Sequence, residues 1–125
     1  MSVETFFNKD GVHPIGPYSQ VTRGGGFVFL AGQVPTDSAA KPVGNNTTEK
    51  ARRMCQNAQL MLETAGSSLD KVLKITIYFS DIDRDFEAVN KVFGEFFTSK
   101  PARTSVQVAR LPLNLEFEMD VTALA

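Results

Sequence analysis

The stretch that decides the fold is residues 101–124, PARTSVQVARLPLNLEFEMDVTAL, which predicts two β-strands joined by a short connection. Successive side chains of a strand point to opposite faces of its sheet, so each strand carries two sets of side chains. In the predicted strand 102–109, Thr104, Val106 and Val108 point to one face, and Arg103, Ser105 and Gln107 point to the other. In the predicted strand 115–124, Leu115, Phe117, Met119 and Val121 point to one face, and Glu116, Glu118 and Asp120 point to the other.

The more apolar set of each strand predicts one covered face of a sheet. We expect these sets to pack under helices. The opposite face is then expected to hold both Arg103 and Glu118, either in water or against another subunit, because charged side chains are rarely buried without a partner.

The first predicted helix follows Asn46, which is a good N-cap and has Glu49 three residues later, as in a capping box. Gly66 is a natural residue just beyond the helix end. One face at helical spacing is apolar: Ala51, Met54, Cys55, Ala58, Met61, Leu62 and Ala65. We expect Cys55 to be a small core residue rather than a reactive thiol.

A second helix is predicted after Asp81 or Asp83, either of which is a suitable cap, and it ends before Pro101. Its apolar stripe is expected to be core rather than a cofactor site. The stripe consists of Phe86, Val89, Phe93, Phe96 and Phe97.

The remaining strands are predicted from β-branched and apolar runs bounded by glycine and proline. They cover residues 4–7, 19–23, 27–30 and 72–79. The predicted fold is therefore α+β, a two-layer sandwich in which two helices cover one face of a mixed sheet of about six strands. The length of 125 residues fits a single domain, residues 1–125.

Composition excludes several classes of function. Net charge is −1, with 13 basic and 14 acidic residues, and no basic cluster exceeds Arg52–Arg53, which argues against nucleic-acid binding and a polybasic membrane anchor. One cysteine and one histidine make a zinc site unexpected. Neither a membrane-spanning run nor a leader-like start is present, so we expect a cytoplasmic protein, or a mitochondrial-matrix protein whose presequence has been removed.

Four side chains are candidates for chemistry, each with an ordinary structural alternative. Arg103 could grip a carboxylate with two parallel hydrogen bonds or could be a solvated strand charge. Glu118 could orient or deprotonate a water, or belong to a solvated acidic strand. Tyr18 could line a pocket or cap the core, and Asn90 could face a ligand or satisfy a backbone group. We expect His13 to be a surface residue.

Four segments in order resemble the reactive intermediate deaminase (RidA, also YjgF) family. They are PIGPYSQ at 14–20; FLAGQVP at 29–35; VNKVF at 89–93 with Phe96–Phe97; and PARTSV at 101–106 with Val108–Ala109, Leu111–Pro112 and FEMD at 117–120. The match covers nearly the whole chain.

The resemblance implies a sandwich like that of the chorismate mutase trimers, assembled as homotrimers with ligand clefts between subunits. It implies that Arg103 binds a substrate carboxylate and that Glu118 positions the hydrolytic water. Tyr18, Asn90 and Ser105 match further cleft residues. The implied reaction is hydrolysis of small 2-imino and enamine acids, such as 2-aminoacrylate and 2-iminobutanoate, to 2-oxo acids and ammonia, without a cofactor or metal.

Three departures from the family pattern leave rate and substrate preference open. Ala31 stands where many members have Ser or Thr, Thr104 replaces a commoner Ser, and Asp120 replaces a second Glu. Two other functions remain open: a small-molecule-binding or chaperone-like trimer without turnover, and an endoribonuclease that inhibits translation. The lone loop histidine and the absence of a basic patch argue against the ribonuclease.

Overall fold

The computed structural model describes residues 2–125 and contains one six-stranded mixed sheet with two long helices. The strands run in the order β1-β2-β3-β6-β4-β5, and only the β4–β5 pair is parallel. Their bounds are β1 Glu4–Phe6, β2 Val21–Gly24, β3 Phe27–Leu30, β4 Val72–Phe79, β5 Ala102–Gln107 and β6 Phe117–Leu124. The helices are α1 Thr47–Thr64 and α2 Ile82–Phe96. The predicted fold class is confirmed.

Helix α1 begins where the capping residues predict. The Asn46 side-chain oxygen accepts a hydrogen bond from the Glu49 N–H at 2.9 Å, which satisfies one of the free donors of the first turn. The Glu49 carboxylate in turn accepts from the Asn45 N–H at 3.2 Å. Gly66, with φ of 82°, follows the last turn in a left-handed conformation that suits glycine.

Helix α2 is capped by Asp81 rather than Asp83, since the Asp81 carboxylate accepts from the Arg84 N–H at 3.1 Å. The helix connects β4 to β5, as a crossover between parallel strands requires. Its first turn also contains Asp85, which is only 1% exposed. The Asp85 carboxylate accepts from the Thr47 hydroxyl at 3.1 Å and from Arg84 Nη2 at 2.8 Å, and so links the starts of the two helices.

The core lies between the helices and one face of the sheet. The β4–β6 register pairs Ile75 with Val121, Ile77 with Met119 and Phe79 with Phe117, and all six side chains are buried. Full burial of side chains of this size stabilises the fold by about 1.5–3 kcal/mol each. Phe117, Met119 and Val121 of the predicted apolar set are thus confirmed as core. Leu115 is also buried, but it precedes β6 and lies outside this core cluster.

The predicted facing of β5 is wrong. Its register places Arg103 beside Ile75 and Ser105 beside Ile77, on the helix-covered face. Val106 pairs with Tyr78 on the open face and is partly exposed, and Thr104 is exposed there too. Alternation in an edge strand shows which side chains share a face. It does not show which face is covered, because an edge strand extends to the margin of the core.

The expectation that Arg103 and Glu118 share one face is also wrong. Glu118 pairs with Tyr78 on the open face, whereas Arg103 lies on the helix side. The stripe of α2 departs from its prediction at one end: Val89, Phe93 and Phe97 are buried and Phe96 is partly buried, but Phe86 is 37% exposed. The Phe86 ring lies 5.7 Å from the guanidinium carbon of Arg103.

No helix described over residues 2–125 is long and apolar enough to cross a membrane. The open face of the sheet nevertheless carries large apolar side chains, among them Phe29, which is 49% exposed. The register places Phe27, Phe29, Tyr78, Val106 and Leu124 on this face.

Candidate functional site

The first group of candidate residues surrounds Arg103 at the edge of the sheet. The central guanidinium carbon lies 4.8 Å from the centre of the Phe93 ring and 5.7 Å from that of Phe86. Asn90 lies between these two phenylalanines on the same side of α2, because residues three and four apart in a helix are neighbours. A guanidinium over an aromatic face gains about 0.5–2 kcal/mol, so the two rings restrict where Arg103 points.

The hydrogen-bonding groups near Arg103 are largely unused within the chain. Over residues 2–125, no hydrogen bond or ion pair involves the Arg103 guanidinium. The Ser105 hydroxyl, two residues along on the same face of β5, is buried and has no partner among the described residues. A guanidinium presents several donors in a rigid planar fork, which suits it to bind a carboxylate.

The second group lines a cleft of about 510 Å³ on the other side of the sheet. The cleft contains two of the predicted site residues, Tyr18 and Glu118. Its polar lining consists of His13, Tyr18, Ser19, Thr22 and Glu118, and its apolar lining includes Val12, Ile15, Val34, Leu113 and Leu115. A mostly apolar cleft with a few polar groups is the usual form of a small-molecule site.

Glu118 is the residue of this cleft whose side-chain pKa is shifted by its surroundings. Removal from water raises the pKa of its carboxyl above the ordinary range, and the negative charge of Asp120 raises it further. No ion pair among residues 2–125 involves Glu118. A carboxylate with a raised pKa and no cationic partner is a stronger proton acceptor than an ordinary glutamate.

Two loop residues complete the mouth of the cleft. Tyr18 is 51% exposed, and its hydroxyl accepts a hydrogen bond from the Ile15 N–H at 3.2 Å. His13 is exposed, as expected, but it also lines the cleft, which the sequence analysis missed. Its Nε2 donates a hydrogen bond to the Lys9 carbonyl oxygen at 2.9 Å. Only the PIGPYSQ motif that follows it could have indicated this position.

The predicted site residues therefore form two groups within one chain. Arg103, Asn90 and Ser105 lie on the helix side of the sheet, and Tyr18 and Glu118 line the cleft on the other side. Cys55 belongs to neither group: it is buried as predicted, and burial raises the pKa of its thiol to about 12. Over residues 2–125, no cluster of three or more His, Cys, Asp or Glu side chains could hold a metal ion.

A family model described as endoribonuclease L-PSP, which represents the YjgF and RidA proteins, matches residues 9–125. The chain belongs to the RidA family. The family resemblance of the sequence motifs is thereby confirmed.

Individual RidA relatives match over nearly the whole chain. A RutC family protein of Pyrococcus abyssi is 42% identical over 125 residues, covering 98% of each chain. Protein MMF1, mitochondrial, of Saccharomyces cerevisiae is 40% identical over 108 residues, which are 86% of this chain and 74% of the relative. The crystal structure of Escherichia coli TdcF with bound serine superposes with a TM-score of 0.90 at 29% identity, covering 98% of each chain.

Proposed function

We propose that this RidA protein, a single domain over residues 1–125, hydrolyses small 2-imino and enamine acids to 2-oxo acids and ammonia. The observation that carries the proposal is the pair of complementary groups on opposite sides of the sheet. One is the Arg103 guanidinium, held by two rings with its donors unused in the described chain. The other is the Glu118 carboxylate, in a mostly apolar cleft with a raised pKa.

The two groups act together only if one chain supplies Arg103 and a neighbour supplies Glu118. Two side chains that leave opposite faces of one sheet cannot both contact the same small molecule. The apolar open face gives the chain a surface for such a neighbour, since Phe27, Phe29 and Leu124 are all partly exposed. We therefore propose a homotrimer with closed symmetry and sites between its subunits.

In the proposed reaction, Arg103 binds the substrate carboxylate through two N–H donors and so fixes C2 close to a water. Because the substrate and the water are then held together in one site, their bimolecular reaction becomes effectively unimolecular. Asn90 and the Ser105 hydroxyl supply further polar contacts on the Arg103 side, and Tyr18 closes the other side. An enamine such as 2-aminoacrylate first tautomerises to its imine, in which C2 is electrophilic.

The Glu118 carboxylate accepts a proton from the water as the water oxygen forms its bond to C2. The electron pair of the C=N bond moves to nitrogen, which takes up the proton that Glu118 accepted, and a carbinolamine results. Glu118 then passes the hydroxyl proton of the carbinolamine to the amino nitrogen, so that the C–N bond breaks, ammonia leaves and C2 becomes a carbonyl. The products are pyruvate from 2-aminoacrylate and 2-oxobutanoate from 2-iminobutanoate, and every step uses only side chains and water.

Two further observations support the proposal. TdcF has been crystallised with serine, a small molecule with the carboxylate that Arg103 is proposed to bind. The balanced charge of the chain suits a small substrate better than a polyanion. We place the reaction in the cytoplasm. The mitochondrial matrix is the alternative compartment, since two relatives are described as mitochondrial.

The proposal is tested by generating 2-aminoacrylate or 2-iminobutanoate in situ with a coupled enzyme and following the loss of the intermediate with and without the protein. The expected result is faster loss, in proportion to protein, with one 2-oxo acid formed per intermediate consumed. Saturable binding with unchanged loss would instead support a binding or chaperone-like trimer without turnover.

The endoribonuclease in the family description is the second candidate. Cleavage of RNA by side chains needs acid–base groups and charge that binds phosphate. Highly purified protein is therefore expected to lack ribonuclease activity that depends on Arg103 or Glu118. Cleavage by the wild type that both Arg103→Ala and Glu118→Ala abolish would favour the ribonuclease over the deaminase.

A further inference from the structure

Gly32 lies directly against the carboxylate of Glu118. A Cβ atom built on Gly32 would be 2.5 Å from Glu118 Oε2, 2.6 Å from Cδ and 3.1 Å from Cγ. Carbon atoms in non-bonded contact prefer about 3.5–4.0 Å, so the observed position of the carboxylate is open only because residue 32 has no side chain.

The main chain fixes this approach. Gln33 and Met119 exchange two backbone hydrogen bonds, with N···O distances of 2.7 Å and 2.8 Å, so the segment at 32–33 cannot move away from β6. Glycine is not needed here for its dihedral freedom, because Gly32 is not among the residues with positive φ. The feature of Gly32 that matters is therefore the missing side chain.

We infer that Gly32 is a positioning residue for Glu118: its lack of a Cβ lets the carboxylate lie back against the main chain, at the wall of the cleft. This inference rests on the proposed function, in which that carboxylate orients the attacking water. It assigns to Gly32 a role that acts through Glu118 and requires no contact of its own with the substrate.

The substitution Gly32→Ala distinguishes a positioning role of Gly32 from a purely structural role. The atoms that the new methyl group meets belong to the end of a flexible side chain, so Glu118 rotates away while the main chain stays in place. Gly32→Ala is thus expected to preserve the melting temperature and the assembly. Turnover is expected to fall by about 10- to 100-fold with KM changed little, because displacement of a reacting group by about 1 Å costs up to 10²-fold.

Two comparisons make the test specific. Gly94→Ala is the matched control, since a Cβ on Gly94 meets no atom within 4 Å, and it is expected to retain full turnover. In a Glu118→Gln background, Gly32→Ala is expected to have little further effect, because residues that act through one group are not additive. Full turnover in Gly32→Ala, or an equal loss in both backgrounds, would overturn the inference.

A third measurement does not depend on turnover. In a carboxyl-carbon NMR titration, with the Glu118 signal assigned by its absence in Glu118→Gln, the wild-type carboxyl is expected to titrate above the ordinary glutamate range. In Gly32→Ala it is expected to titrate closer to that range, because the displaced carboxylate regains water. Identical titration of the two proteins refutes the inference. Wild-type protein that consumes no imine refutes the proposed function but leaves this comparison intact.

Discussion

At residue scale, Arg103 combines two functions that lysine cannot. Its planar guanidinium lies over the rings of Phe86 and Phe93 and still has parallel donors for the proposed carboxylate, whereas an ammonium is a point charge. We predict that Arg103→Lys retains the fold and assembly but lowers kcat/KM by about 10- to 150-fold, the equivalent of one charged hydrogen bond of about 1.5–3 kcal/mol. The measurement is the coupled imine assay.

The matched control for this substitution is Arg52→Lys on α1, whose guanidinium makes only an exposed ion pair with Glu95 at 3.3 Å. That variant is expected to have wild-type turnover, since exposed ion pairs contribute little. Wild-type turnover in Arg103→Lys, with its assembly intact, would show that Arg103 is an ordinary strand charge.

Glu118 predicts a pH dependence of activity. The proposed base must be ionised, and because its pKa is raised, activity should be lost as pH falls through a value above the ordinary glutamate range. Glu118→Gln keeps the size of the side chain but removes the base, so ligand binding should persist while turnover falls at every pH. The check is a pair of kcat profiles beside a binding isotherm for a small 2-oxo acid.

The same shift predicts the direction of a stability change. A carboxyl with a higher pKa in the folded state than in the unfolded state favours folding at low pH, and that contribution is lost as pH rises through the folded-state pKa. Glu118→Gln should therefore melt at or above the wild-type temperature at neutral pH, with the difference shrinking as pH falls. A variant that melts well below the wild type at neutral pH contradicts this.

At the scale of the elements, the start of α2 gives a matched pair of substitutions. Asp81 accepts from the Arg84 N–H, whereas Asp83 lies inside the first turn. Asp81→Ala is expected to lower the free energy of unfolding by about 1 kcal/mol, and Asp83→Ala only by a few tenths. Chemical denaturation of both variants measures the difference. Equal losses would mean that the helix begins elsewhere.

The sequence predicted elements whose signals are local. The capping residues of α1, the stripe Val89–Phe93–Phe97 of α2 and the alternation of β6 each depend on neighbours along the chain. The facing of β5 and the burial of Asp85 could not be predicted this way. Both depend on partners distant in sequence, namely the rings of α2 for Arg103 and Thr47 for Asp85.

The candidate site shows the same contrast between local sequence signals and contacts distant in sequence. Residue types and motifs make Arg103, Glu118 and Tyr18 candidates, but the separation of Arg103 from Glu118 onto opposite sides of the sheet follows from strand register. The proximity of Gly32 to Glu118 has no signal in composition, because the glycine lies outside any turn that requires positive φ.

At the scale of the whole molecule, the division of the site predicts complementation. Light scattering should give about three times the 13.7 kDa chain mass. Arg103→Ala and Glu118→Gln, each inactive alone, should recover about a quarter of wild-type turnover after denaturation and refolding as a 1:1 mixture, since about a quarter of random interfaces pair two intact groups. No recovery, with mixed trimers verified by mass spectrometry, would place both groups in one subunit's site.

The position of β6 has a consequence for synthesis in the cell. In the sheet described over residues 2–125, this strand lies between β3 and β4 and joins the two halves, β1-β2-β3 and β4-β5. A ribosome makes β6 after the other five strands, so β3 and β4 of a nascent chain lack the strand that joins them until residue 124 has left the exit tunnel. The intermediate chain exposes apolar surface that chaperones recognise. An mRNA truncated before the codon for Phe117 is therefore expected to yield a chain that cannot complete the sheet and is degraded by proteases.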